Sequence, residues 1–522
     1  MAIFLEQSFE MPSPEAEVVA LKLHNLFKEF SLPSHPSFFA GIPSEVLSAL
    51  LLANRRSELI QLAVDGFLSY IVAEDTDPIR LSRSKRSQFL RRLVVEIKVE
   101  KRTFDQAQLV SYAESMSQEY DYGIAALSFV QGFVEKGFIH FEDGKAAITL
   151  PFMESYLLAV ELADDSKLAL RYFDMDDNDI DLLTFDLYSE IKPSVAIIDT
   201  VKCKLRAALT ALDVNGYEQI LLKNDLFPQI LKNPARITNL GNRVSEAKAA
   251  LESDASDRDE KTRILDIAER VNEDVSNRID GGEPETRNSD DPNPLLSSAI
   301  RMWVVATILL GSGAESIKGD ERKEIVEIII DAADMILHYW TKIFSEFDYG
   351  QVRQDILADA TFKSNLNIDD EKEYERIVSS LIDFVEFVAL SEPLERIVNH
   401  LLDQGQQPII GNSLAKAKNI GGLKPLIKGL WLTNINRQAG NAALNEAVAE
   451  LPEARFFRST LTSIIIYRVR WKLSQKPTRY TLLDAAQEIV KPINPSLDKG
   501  EMRRFVDRDD KDKRMTTSVA DD

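Results

Sequence analysis

Apolar residues recur at close to a 3.6-residue period along most of the 522-residue chain, the mark of amphipathic helices. In residues 15–30 they stand at Val18, Val19, Leu23, Leu26, Phe27 and Phe30. Leu32-Pro33-Ser34-His35-Pro36 breaks that pattern. Two further helices are expected over 44–52, behind Pro43, and over 57–72, with Ser57 as its N-cap. Residues 84–99 place Phe89, Leu90, Leu93, Val94 and Ile97 on one helical face. Thr103-Phe104-Asp105-Gln106 reads as a capping box that starts the next helix, Thr103 capping and Gln106 reaching back. A third helix is expected over 122–136, closed by Gly137 in the left-handed C′ position.

The period changes to two once, from Phe138 to Leu150. An Asp143-Gly144 type I′ turn pairs Phe141 with Ala146 and Ile139 with Ile148. Those four side chains then share one face, so the register is self-consistent. A helix follows Pro151, with Phe152, Tyr156, Ala159 and Ala163 as its apolar stripe. Three helices, a hairpin and a helix in this order form the plan of a winged-helix domain, assigned to 81–163. Beyond it the pattern is helical and irregular. Residues 164–188 are acidic, and 199–212 and 217–226 read as a helical pair. Segments 253–261 and 280–294 are polar and charged, the second a linker candidate. Helices are expected over 295–310, 319–344, 369–390, 393–402, 439–449, 454–473 and 481–490. The fold class is therefore mainly α: a helical segment 1–80, the winged-helix domain 81–163 with one short β-hairpin, a helical region 164–279, the linker 280–294, an irregular α-helical C-terminal domain 295–497 and a charged tail 498–522.

Charge changes the picture. The chain carries 62 Lys+Arg against 84 Asp+Glu, a net of −22. A field of that sign opposes general binding to nucleic acid or anionic membranes. One cysteine, Cys203, excludes intramolecular disulfides and cysteine-rich metal sites and fits a reducing compartment. The first residues, Met1-Ala2-Ile3-Phe4-Leu5-Glu6, lack the basic start and long apolar core of a signal peptide. The longest nearly apolar run, 302–310, is too short to span a bilayer. A cytoplasmic protein without membrane contact is expected.

Candidate chemistry is sparse. Gly311-Ser312-Gly313-Ala314-Glu315-Ser316-Ile317-Lys318-Gly319 lacks the Gly-Lys-Ser/Thr ending of a phosphate loop and reads as an interhelical loop. Gly421-Gly422-Leu423 reads as a turn. The five histidines, His24, His35, His140, His338 and His400, show no metal-ligand spacing. Asp174-Met175-Asp176-Asp177-Asn178 opens like a calcium loop, but its sixth position is Asp179 and its twelfth Phe185, where Gly and Glu are needed. No nucleophile elbow occurs. No catalytic, cofactor-binding or metal-binding residue is assigned, and no cofactor is expected.

One segment departs from the acidic background. Arg80, Arg83, Lys85, Arg86, Arg91, Arg92, Lys98, Lys101 and Arg102 face Glu96 and Glu100 alone. Two readings fit: a phosphate-contacting face, or a contact with the acidic stretch 164–186. The helix before the hairpin favours the second, because Asp121, Gln131, Glu135 and Lys136 are its only charges or long polar chains.

Residues 10–163 resemble the region that follows the nucleotide-binding core in STAND-type NTPases, many of them bacterial anti-phage defence proteins. The residues carrying the likeness are Leu32-Pro33-Ser34-His35-Pro36 before a helical lid, Leu59 to Tyr70 leading into Lys85 to Leu93, and Phe133-Val134-Glu135-Lys136-Gly137-Phe138-Ile139 with the hairpin. Phe152-x-Glu154-x-Tyr156-x-x-Ala159 is similar to the family's aromatic-Glu-x-Tyr helix. The resemblance implies that 1–80 is lid-like and that the helical remainder is a sensor or scaffold arm. It implies a protein partner, one option being an NTPase subunit encoded nearby; the basic segment from Arg80 to Arg102 keeps nucleic acid as the alternative. The family's phosphate loop is absent from this chain. Its phosphate-sensing His before the last winged helix is also absent: Thr149, Leu150 and Pro151 stand there. The expectation is a protein that acts by protein–protein contact and neither binds nor hydrolyses ATP by the family mechanism.

Overall fold

The structure, a computed structural model, describes residues 55–74, 81–176, 179–212, 293–359 and 408–450, with scattered positions elsewhere. Arg80, the helix expected over 44–52, the second of the 217–226 pair, most of the 280–294 linker and the 498–522 tail lie outside the described residues, as do nearly all of 15–30, 454–473 and 481–490. The described residues are mainly helical, with one two-stranded antiparallel hairpin. The described residues divide into two compact units, with the boundary between Thr200 and Val201.

In the first unit, α1 spans Arg56–Glu74. Ser57 is inside this helix and is not its N-cap, a correction to the sequence reading. The cap comes from elsewhere: Glu190 Oε1 accepts from Ser57 N at 3.3 Å and Ser57 Oγ at 2.9 Å. Helix α2, Arg83–Lys98, is capped by Ser82 and buries Phe89, Leu90, Leu93 and Val94. Helix α3, Gln106–Glu119, starts two residues later than expected. Its N-cap is Asp105, not Thr103, and its reciprocal partner is Gln108, not Gln106. The shift has a cause. Phe104 is buried and its carbonyl accepts from Ala146 N at 2.7 Å, so the chain stays extended through that residue.

Helix α4, Ala126–Glu135, also starts late, because 121–125 form a turn with Asp121 at φ 53° and Gly123 at φ 65°. Its end matches expectation. Gly137 sits at φ 71°, Phe138 N donates to Phe133 O, and Gly137 N to Val134 O, a Schellman motif. Strands β1, Ile139–Glu142, and β2, Lys145–Ile148, pair Ile139 with Ile148 and Phe141 with Ala146, as read from the sequence. Asp143 at φ 48° and Gly144 at φ 77° make the turn.

Helix α5, Pro151–Asp164, is the centre of this unit and packs on α1, α2 and β2. It buries Met153, Leu157, Leu158 and Leu162 besides Phe152, Tyr156 and Ala159, a wider face than the stripe expected. Ala163 is only half-buried. The acidic stretch contains two helices, α6, Ser166–Tyr172, and α7, Leu182–Ile191. Phe89, Phe129 and Phe133 meet within 5.1–5.5 Å between ring centroids, joining α2 to α4. Helix α8, Val195–Ala211, crosses the division between the units.

The second unit holds α9, Pro294–Gly313, α10, Gly319–Ser345, α11, Tyr349–Ala358, α12, Pro408–Lys416, α13, Lys424–Ile435, and α14, Arg437–Glu450. Helix α9 continues through Gly311 and Gly313, so those glycines are helical rather than part of a loop. By length and composition alone this helix is long and apolar enough to cross a bilayer, a test that a core helix also passes, and half of its most apolar stretch is buried inside the protein. Trp303 Nε1 donates to Ile329 O of α10 at 3.1 Å. Arg322 fastens the α9–α10 connection, donating to Ala314 O and Ile317 O and to Ser413 Oγ of α12.

Candidate functional site

The basic segment on α2 and the loop after it is the sequence's one candidate. Ser82 at the N-cap sets the helix phase, and that phase sends Phe89 and Leu93 inward and the long cations around the flanks. Arg83 pairs with Asp65 of α1 at 3.4 Å. Arg91 reaches Asp164 at 2.8 Å and Glu161 at 3.2 Å, both on α5. Arg92 pairs with Glu119 at 3.2 Å, donates to the Tyr120 hydroxyl and lies over that ring. Lys98 pairs with Glu154 at 2.7 Å, and Arg102 with Glu96 at 2.8 Å. Lys85 donates to Gln88 and stands over Tyr120. Lys101 is exposed, at φ 54° in the turn that ends α2.

Arg86 is different. It is 1% exposed, donates from Nε to Leu81 O at 3.3 Å, and has its guanidinium 5.0 Å from the Phe129 ring centroid. Counting it as a surface charge was the natural sequence reading. Its i+3 neighbour Phe89 is the signal that it lies on the buried side.

Of the eight described cations, five are matched to carboxylates of their own unit, so an approaching phosphate would compete with carboxylates already in place. The acidic stretch 164–186 supplies one of those partners, Asp164. The stretch also returns a cation, since Arg171 pairs with Glu100. Burial, with Asp65 nearby, holds the Tyr156 hydroxyl protonated well above the usual tyrosine range. Burial likewise raises the Asp65 carboxyl, and Arg83 partly offsets this.

Compared with models of protein families, with curated proteins and with solved structures, the chain matches none.

The outward face of α4 carries Leu127, Ser128, Gln131 and Glu135, with no cation among them. At Gly132 a Cβ would lie 3.6 Å from Ile71 of α1, so that helix covers part of the face. Leu150 is the N-cap of α5 and makes no side-chain cap. Among the described residues no group of three or more His, Cys, Asp or Glu is placed to hold a metal ion. His140 is exposed on β1, 3.9 Å from Glu142, while His338 is nearly buried on α10.

Proposed function

We propose that this chain is a helical scaffold or sensor that acts through protein–protein contact, with 81–163 a winged-helix domain used for packing. The observation that carries the reading is the pairing of α2's cations with carboxylates of α1, α3 and α5 and of α2 itself. A nucleic-acid face needs cations free to displace counterions. The winged-helix plan is supported by the bond from Ala146 N to Phe104 O, which sets the segment between the first two helices beside the hairpin as a third strand would be. The lid-like first segment and the likeness to STAND-type NTPases suggest the partner class: an NTPase subunit that carries the phosphate loop.

The test is a mobility-shift series with duplex DNA and RNA at about 0.05 M salt, where phosphate contacts are strongest. The wild-type chain is expected to give no shift. Arg91→Glu with Arg92→Glu is expected to lower unfolding stability by about 1–2 kcal/mol, since each exposed pair contributes up to about 1 kcal/mol and like charges replace it. A salt-sensitive shift abolished by that double variant would overturn the reading in favour of a nucleic-acid regulator. Nucleotide turnover by the isolated chain would overturn it in favour of an enzyme.

A further inference from the structure

The described part of the second unit holds a polar seam that the scaffold reading does not use. Glu327, Asp331, Asp334 and His338 follow one another at i, i+4, i+7 and i+11 along α10, one stripe of the helix. The segment between α12 and α13, residues 417–423, lies along this stripe. Lys418 N donates to Glu327 Oε1 at 2.6 Å. Asn419 Nδ2 donates to Glu327 O and to Asp331 Oδ1. Leu423 N donates to Asp334 Oδ1 at 2.8 Å, and Lys424 Nζ pairs with Asp331 at 3.0 Å. Gly421 and Gly422, at φ 81° and 60°, let the backbone turn so that both amides face the helix. Carboxylates thus replace the partners that a strand or helix would give these amides.

His338 ends the stripe. Its Nδ1 is 3.0 Å from Asp334 O and 3.8 Å from Asp334 Oδ1, and its side chain is 9% exposed. A backbone carbonyl can only accept, so Nδ1 carries the ring proton and Nε2 is a bare acceptor. Nε2 is buried with no hydrogen-bond partner. A proton arriving there would place an N–H with nothing to bond and a cation in a desolvated seam.

We propose that His338 and Asp334 make this seam an acid-sensitive latch, closed over α10 while the ring is neutral and loosened when the ring takes a proton. The charged groups facing the pair are Lys424 from α13 and Asp331 from α10 itself. Burial depresses His338 below its ordinary value; Asp334 opposes that and Lys424 adds to it. The open latch exposes the ring to water, where it titrates at about 6.5. Between the two values the open state binds more protons, so closure weakens as pH falls. Asp334 acts in the other sense. Burial raises it from 3.8, so its protonation favours the closed seam. The two titrations therefore oppose one another, and a loss of protection on acidification is the histidine's.

The experiment is hydrogen exchange on the full chain, read at the Lys418 and Leu423 amides between about pH 7.5 and about pH 5 and corrected for intrinsic rates. Protection is expected to fall on acidification by at most about tenfold per pH unit, the limit for one proton, while the α9 and α14 core amides stay protected. His338→Gln is expected to flatten the response. Asp334→Asn keeps the acceptor for Leu423 N and removes the anion, so the fall extends to lower pH. Protection independent of pH, or an equal fall in His338→Gln, would overturn the proposal. If that variant does not fold, the wild-type ring is titrated by NMR: a midpoint at or above about 6.5 overturns the latch, and a lower one together with the loss of protection supports it.

Discussion

The carboxylate of Glu190 lies 133 residues from the helix it caps. It takes Ser57 N and Oγ at the start of α1, beside Arg56, which pairs with Asp186. Burial lowers the Arg56 guanidinium from its usual value and Glu190 pushes it back up. Removing Glu190 therefore leaves two donors without this acceptor and takes a nearby anion away from a buried cation. Glu190→Ala is expected to cost about 2–4 kcal/mol in urea unfolding, and Glu190→Gln, which retains an acceptor, about half of that. Equal losses would show that the charge, not the hydrogen bonds, is what matters. Tyr112 gives a second residue-scale prediction. Burial first, then Glu96, pushes its hydroxyl up to about 12. The folded state keeps this proton after the unfolded chain loses it, so its contribution is intact below pH 10 and is lost as pH rises through about 12. Alkaline titration of the tyrosinate absorbance should show a component near pH 12 that Tyr112→Phe removes. Neither role is legible locally: a Ser before an apolar run looks like a cap, and nothing near Ser57 names Glu190.

At the scale of elements, reading succeeded where the determinants are adjacent in the chain. The Gly137 helix stop and the Asp143-Gly144 hairpin are set by backbone conformations that few residues adopt. It slipped where a distant group competes. The α3 start moved from Thr103 to Asp105 because Ala146 holds the Phe104 carbonyl. The pairing of α13 with α14 was not foreseen at all, since its signal is a pair of glycines. A Cβ on Gly440 would lie 2.3 Å from Thr433 N and 2.4 Å from Thr433 Cα, and one on Gly429 2.9 Å from Leu444 Cδ2. Backbone cannot yield as a side chain tip can. Gly440→Ala is expected to destabilise by about 3 kcal/mol or more by forcing the helices apart. Gly144→Ala, whose Cβ meets nothing within 4 Å, should cost only about 1 kcal/mol, from its positive φ. Chemical unfolding followed by circular dichroism compares them. Equal losses would show that close helix approach is not the reason for Gly440.

For the whole molecule, the division at Thr200 and Val201 gives two units, each with its own buried core. Phe89 is fully buried among Phe129, Phe133 and Tyr112 in the first. Phe89→Ala should cost about 3–5 kcal/mol there. Calorimetry is expected to show one transition displaced to lower temperature and a second unchanged; a single transition displaced as a whole would mean that the units unfold together. The net charge of −22 was read correctly from composition, but what the basic segment does with its charge could not be. The sequence alone determined the helical period, the hairpin with its register, and the glycine stops, because these depend on residues within a few positions of one another. Only the tertiary structure decided that Arg86 is buried, that Arg91 and Lys98 are held by α5, that Glu190 caps α1 and that Glu327, Asp331 and Asp334 of α10 receive the loop before α13. Each of these depends on which charged group a fold brings within about 4 Å of another, and separation along the chain carries no record of that distance.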